Sequence, residues 1–206
     1  MRRTYDPART RQDIIAVATA EFAEKGLSGA RIDRIAARTK TSKRGIYYYF
    51  GSKEKLYISV LEEAYRRIRS IENGLALDHL EPEEALRTLV GFTFDYQSAN
   101  PDFVRLVMNE NMHHAKYLAR STAIQQLNVT AIDAIKDVLR RGAEAGVFRN
   151  GIDAVDLHMS ISALCFFNVS NRYTFSRIFK RDLDSAAAVR ARRASIIDTI
   201  LAAVRR

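Results

Sequence analysis

The chain has 206 residues, 47% of them hydrophobic, with three prolines and nine glycines, a composition that supports one good core or two modest ones and excludes a disordered or collagen-like polymer. No apolar run is long enough to span a bilayer, MRRTYDPARTRQ lacks the apolar centre of a signal peptide, and the single cysteine, Cys165, excludes a disulfide framework, so a cytoplasmic location is expected. The net charge is +9, and residues 1–60 carry 13 Lys/Arg against 6 Asp/Glu, an excess of seven that marks a polyanion-binding module on a nearly neutral body.

Taken in order, Met1–Asp6 is an arm in which Arg2 and Arg3 either reach a minor groove or stay in solvent. Pro7 suits a first helical turn. Ile14, Ile15, Ala18, Phe22 and Ala23 then recur at helical spacing until Gly26, which fits a C-cap. Leu27–Ala30 connects to a short helix marked by Ile32, Ile35 and Ala36, with Arg31, Arg34 and Arg38 on its wet face. Lys40 and Thr41 turn the chain into SKRGIYYYF, residues 42–50.

That stretch carries the most chemistry. Ser42 suits an N-cap, and Ile46 and Phe50, one helical turn apart, form the inward pair. Lys43, Arg44, Gly45 and Tyr48 then face out, with the edges of Tyr47 and Tyr49. Cations reach phosphates and guanine edges, phenol hydroxyls reach phosphate oxygens, and a small residue permits close approach to DNA. Three consecutive tyrosines are equally compatible with a strand; the flanking helices favour a helix. Gly51-Ser52 breaks the chain before a long helix from Lys53, whose apolar stripe is Leu56, Val60, Leu61, Ala64, Ile68 and Ile71. Its first N–H groups, with Lys53 beside them, suit a DNA phosphate. Two short helices joined by a turn and braced by a longer one form a helix-turn-helix.

Residues Ile15, Ala18, Phe22, Gly26, Ile32, Ile35, Ala36, Ser42, Tyr47, Phe50, Lys53, Glu54 and Leu56 together resemble the DNA-binding domain of the TetR family of bacterial regulators. Lys40-Thr41 in the turn, Arg44-Gly45 and Tyr48 depart from the family's usual residues, which implies base contacts of its own. The resemblance implies an all-α fold: a helix-turn-helix domain over residues 1–52, then a helical effector-binding and dimerisation domain over 53–206. It implies DNA contacts from Arg31, Thr41, Ser42, Lys43, Arg44, Gly45, Tyr47, Tyr48, Tyr49 and Lys53. The tract NPDFVRLVMNENMHHAKYL is also similar to the subset related to regulators of pyrimidine use, without carrying a ligand across.

Past Asn73-Gly74 the sequence reads as helix throughout: from Pro82 to the Asn100-Pro101 break, from there through Asn111, from Thr122 to Glu144, over Leu157–Phe179, and from Ser185 to the end. Aromatics mixed with amides single out Phe92, Tyr96, Phe103, Asn111, Phe167, Asn168 and Tyr173 as candidates for an effector pocket, although a plain helical core has the same aromatic content. The resemblance implies a homodimer through the last two long helices, near residues 157–178 and 186–204, and the apolar stripe of the last one, Val189, Ile196, Ile197, Ile200, Leu201 and Val204, is wider than one neighbour needs and so suggests a dimer seam.

Enzyme chemistry finds no constellation. His113 and His114 with Glu110 diverge around a helix and lack further ligands, so no metal and no cofactor is expected. Asp133 and Asp137 read as a solvated face, and Cys165 as a small buried apolar residue. The expected function is a ligand-responsive, homodimeric transcription regulator, a repressor rather than an activator, whose partners are an operator duplex and a small-molecule effector. A constitutive DNA-binding protein, a helical enzyme with an incidental basic face and a binder of acidic membranes are the alternatives.

Overall fold

The computed structural model describes residues 6–206, so Arg2 and Arg3 of the arm lie outside the described residues. These residues form ten α-helices, α1 (Pro7–Gly29), α2 (Ile32–Arg38), α3 (Lys43–Phe50), α4 (Lys53–Asn73), α5 (Pro82–Ala99), α6 (Pro101–Met112), α7 (Thr122–Glu144), α8 (Ala154–Ser170), α9 (Arg172–Phe179) and α10 (Ala186–Val204), with short 3-10 turns at Leu77–His79 and Leu118–Arg120. Two compact units result: one takes residues up to Arg66 together with Arg105–Ile124, the other Arg67–Val104 with Gln125–Arg206.

The division therefore falls inside α4 rather than between residues 52 and 53. Leu56, Tyr57, Val60 and Leu61 at the start of α4, with Leu106 and Ile124, belong to the same core as Ile14, Phe22, Ile35, Ile46 and Phe50. Without them α1, α2 and α3 would bury too little apolar surface to hold together. Tyr57 is at the centre of this core, edge-on to Phe22 at 5.1 Å and to Tyr117 at 5.5 Å. Burial, with the Glu110 carboxylate next in effect, pushes its hydroxyl pKa up. Ile71, expected in the apolar stripe of α4, is instead exposed.

Local chemistry sets the helix ends. Asp6 caps α1 by accepting hydrogen bonds from the N–H groups of Ala8 and Arg9 at 3.0 and 3.1 Å. Gly26 interrupts α1 at φ 64°, a left-handed conformation that disfavours residues with a Cβ. Buried Glu110 accepts from the N–H groups of Tyr117 and Leu118 at 3.2 and 2.8 Å, satisfying backbone donors after α6.

In the second unit, α5, α8 and α10 share a core of Leu86, Leu89, Phe94, Leu157, Ile161 and Ile200, among others, joined by Ile135 and Val138 of α7. This overturns the reading of the α10 stripe as a seam: Ile196, Ile197, Ile200, Leu201 and Val204 are all at most 3% exposed and are covered by their own chain. Cys165 lies in the same core, where burial pushes its thiol up to about 12. Arg141 ties α7 to the 3-10 turn by donating to the carbonyls of Leu77 and Leu80 at 2.8 and 2.6 Å. Gly142 is required by packing, since a Cβ there would stand 2.0 Å from the Phe148 ring.

Candidate nucleic-acid interface

The geometry of α3 follows from its two ends. Ser42 has extended backbone angles, and its Oγ accepts from the Gly45 N–H at 3.0 Å, closing the first turn. Gly51, at φ 75°, ends the helix, with its N–H donating to the Tyr47 carbonyl at 2.7 Å. Ile46 and Phe50 are buried as expected, so the helix is fixed by one face and presents the other. Tyr48 is 83% exposed, and Lys43 and Arg44 are exposed beside it. Tyr47 is exposed, whereas Tyr49 is half-buried and meets the Tyr48 ring edge-on at 5.6 Å.

Gly45 has a structural reason as well as a chemical one. A Cβ there would stand 2.6 Å from the Thr41 methyl group, so the turn between α2 and α3 leaves no room for a side chain. Arg44 makes no hydrogen bond or ion pair among the described residues. Lys43 does: its Nζ lies 3.1 Å from Asp33 in the first turn of α2. Lys53, at the first position of α4, donates to the Ser28 carbonyl at 3.3 Å, and the Ser52 Oγ caps that helix by accepting from the Lys55 N–H at 3.2 Å. Arg31 points its side chain into solvent while its backbone N–H is held by Glu21.

Sequence reasoning missed part of this face. A groove of about 1250 Å³ runs beside α3 and is bordered by Arg9 and Thr10 of α1, Arg38 at the end of α2, Lys40 of the turn, and Gly45 and Tyr48. Arg9 and Thr10 gave no signal, because a short sequence spacing does not reveal that the start of α1 returns to the helix-turn-helix. Asp33 was missed for the same reason, ten positions before its partner Lys43.

The effector candidates separate into groups. Phe92, Tyr96 and Phe103 form a run of ring contacts at 5.7 and 5.9 Å across α5 and α6. Burial, its largest cause, pushes the Tyr96 hydroxyl up despite nearby Arg67 and Arg69. Phe167 and Asn168 border a different cavity, at the ends of α8 and α10, and Tyr173 is exposed on α9. Asn111 belongs to the first unit, is exposed, and donates to the Val107 carbonyl of its own helix at 2.9 Å. No group of three or more His, Cys, Asp or Glu side chains among the described residues is placed to hold a metal ion, and no helix among them is long and apolar enough to cross a membrane.

Residues 14–60 match the family described as "Bacterial regulatory proteins, tetR family", and residues 82–200 match "Tetracyclin repressor-like, C-terminal domain". The HTH-type transcriptional repressor NicS of Pseudomonas putida is 39% identical over 181 residues, 88% of this chain and 85% of that protein. The HTH-type transcriptional repressor SCO4008 of Streptomyces coelicolor is 34% identical over 77% of this chain and 78% of its own length. Among solved structures, SCO4942 of Streptomyces coelicolor superposes with a TM-score of 0.70 at 30% identity, over 95% of this chain and 98% of that one. The all-α architecture, the exposed helix of the helix-turn-helix and these matches over both parts of the chain lead to one assignment: the protein belongs to the TetR family of DNA-binding transcriptional regulators and is not an enzyme.

Proposed function

We propose that the protein is a cytoplasmic repressor that binds a palindromic operator as a homodimer and leaves it when a small molecule binds. The observation that carries the reading is the presentation of α3: Ile46 and Phe50 are clamped in a core while Lys43, Arg44 and Tyr48 stand out of it. In this reading Lys43, Arg44 and Tyr48 contact base edges, and Arg31, Tyr47, Tyr49 and Lys53 hold phosphates. Thr41, Ser42 and Gly45 shape the turn that lets backbone approach backbone, and Arg9, Arg38 and Lys40 extend the phosphate track along the groove.

The dimer is assigned to the outer faces of α8 and α10. Val155 and Met159 stand one helical turn apart on α8 and are 57 and 62% exposed, while the outer face of α10 carries small residues, including Ala187, Ala191, Ala194 and Ala202. Large apolar side chains against small ones is a surface that two copies can close. Two α3 helices would then meet successive major grooves about 34–36 Å apart. The effector is assigned to the second unit, whose candidates are the Phe92, Tyr96 and Phe103 run and the cavity bordered by Phe167 and Asn168, with Tyr173 as a peripheral contact; Asn111, in the first unit, is left out of this assignment.

Selection of randomised duplex DNA by the purified protein tests this. The expected motif is an inverted repeat with half-sites roughly 10–10.5 base pairs apart or a multiple of that, bound by an even number of chains. Enrichment of no motif, or of a single asymmetric half-site bound by one chain, would overturn the operator reading.

A further inference from the structure

The end of α8, the short α9 and the start of α10 enclose a cavity of about 260 Å³. Its apolar wall is made by Phe167, Phe175 and Leu183, and the two rings meet edge-on at 4.9 Å. Its polar wall is Arg172, Arg192 and Asn168, and no carboxylate borders it. The two guanidinium groups are unequally satisfied. Arg172 donates through one Nη to Asp184, yet its Nε is buried without an acceptor. Arg192 is half-buried and makes no hydrogen bond or ion pair among the described residues. One carboxylate against two guanidiniums leaves a single uncompensated positive charge at a partly dehydrated wall.

Such an arrangement lacks an anion. A buried N–H with no acceptor is costly, and guanidinium groups bind planar oxyanions through paired N–H donors. The volume lies between the roughly 150 Å³ of a cavity that takes benzene and the roughly 300 Å³ at which drug-sized pockets begin. One ring or a short chain fits; a nucleotide does not. A dianionic phosphate would need more donors than the wall provides and would waste the apolar side, and a cation would face two guanidiniums.

We propose that this cavity binds a small monocarboxylate, its oxygens between Arg172 and Arg192 and its apolar body against Phe167, Phe175 and Leu183. The Asn168 amide, which makes no hydrogen bond among the described residues, donates to the same carboxylate. Asn171, the break between α8 and α9, also borders the cavity, so an occupant ties α9 to the head of α10. This names a ligand class for the effector-responsive reading above and rests on that reading only for its regulatory consequence, not for binding.

Isothermal titration of the full-length protein, free of DNA, with benzoate, hexanoate, benzamide, 1-hexanol and inorganic phosphate tests the inference. The expected result is saturable binding of at least one of the two carboxylates, one per chain, at least tenfold tighter than its neutral analogue or phosphate. Arg192→Gln should weaken that binding tenfold or more with helicity unchanged, and Arg192→Lys should weaken it less. Because Arg172 is also paired to Asp184, Phe175→Trp provides a second readout, a fluorescence change that saturates with the same carboxylate. Failure of both carboxylates to bind, equal binding of the neutral analogues, or indifference to Arg192→Gln would overturn the proposal. A parallel operator titration separates the two readings. Carboxylate binding that leaves operator affinity unchanged upholds the site and counts against release. Release by a molecule whose binding ignores Arg192→Gln upholds release and overturns the regulatory role of this cavity, while the carboxylate titration alone decides the site.

Discussion

The Glu21 carboxylate accepts a hydrogen bond from the backbone N–H of Arg31 at 3.1 Å, bridging α1 and the start of α2 across the Gly26 kink. Glu21 is only 5% exposed, so the bond is shielded from water and the N–H has no intrahelical partner at that end of α2. The contact fixes where α2 begins, and α2 in turn supports α3. Replacing Glu21 by Ala should destabilise the first unit by about 1–3 kcal/mol, because it leaves a part-buried donor unpaired. Glu21→Gln, which keeps an acceptor oxygen, should cost less. Urea denaturation of both variants checks the ordering, and equal midpoints for Ala and Gln would mean that the hydrogen bond is not what stabilises the junction.

Lys43 is ion-paired with Asp33, whereas Arg44 has no hydrogen bond or ion pair among the described residues. The two cations should therefore behave differently. Arg44→Ala should lower affinity for the selected operator by about 1–3 kcal/mol and relax preference at particular base pairs. Asp33→Ala releases Lys43 and removes a negative charge from the DNA face, so it should raise affinity for unrelated duplexes and steepen the salt dependence. Binding isotherms at two or more salt concentrations, on operator and on scrambled duplex, decide both. An Asp33→Ala protein with an unchanged salt slope would show that the pair does not restrain Lys43.

For the dimer, burial separates two substitutions that hydrophobicity alone equates. Ile200 is 2% exposed inside its own chain, and Met159 is 62% exposed on α8. Ile200→Glu should therefore unfold or precipitate the protein, since a carboxylate would be placed in a core with no partner. Met159→Glu should leave a helical, soluble protein that sediments as a monomer and binds the operator weakly. A Met159→Glu protein that remains dimeric at micromolar concentration would remove the outer face of α8 from the interface.

What the sequence shows well is what helices need locally. Lys53–Asn73 runs between the breaks that Gly51-Ser52 and Asn73-Gly74 impose, and Ser42, Ile46 and Phe50 do what their spacing requires. Periodicity identifies a face that must be covered but not what covers it, so the stripe of α10 looked like a seam when it belongs to the core. The break at Asn171 is hidden because it falls inside a stretch, residues 157–179, that is mostly apolar and aromatic, and no glycine or proline marks it. Glu21, Asp33 and Glu110 act through partners that only the tertiary fold supplies: Arg31, Lys43 and the backbone before the second 3-10 turn. The effector candidates scattered for a related reason. Aromatic and amide content does not say which residues share a cavity.

His158 on α8 gives a pH prediction whose sign is fixed by its surroundings. Burial, the largest cause, and the nearby Arg69 hold its imidazole below the ordinary value of 6.5, against the smaller opposing effect of Glu72. Arg69 and Glu72 form a buried ion pair on α4, and Arg69 also takes the Asn128 oxygen on α7 at 2.9 Å, so the positive charge next to His158 is held in place. Above pH 6.5 the imidazole is neutral in both folded and unfolded chains, and its contribution is fully present. As the pH falls below 6.5 the unfolded chain takes up the proton first, so stability is lost progressively until the folded imidazole titrates as well. Glu24, Glu83 and Asp137, whose carboxyls are held below their ordinary values of 4.5 and 3.8 by Lys25, Arg205 and Arg140, lose their contributions only in more acidic solution. The interval just below pH 6.5 therefore isolates the histidine. Unfolding free energy measured between pH 7.5 and about 5 should fall more steeply in the wild-type protein than in His158→Gln, with the two curves closest in shape above 6.5. Parallel curves through the whole interval would mean that His158 titrates alike in the folded and unfolded chain and that its burial beside Arg69 has no energetic consequence.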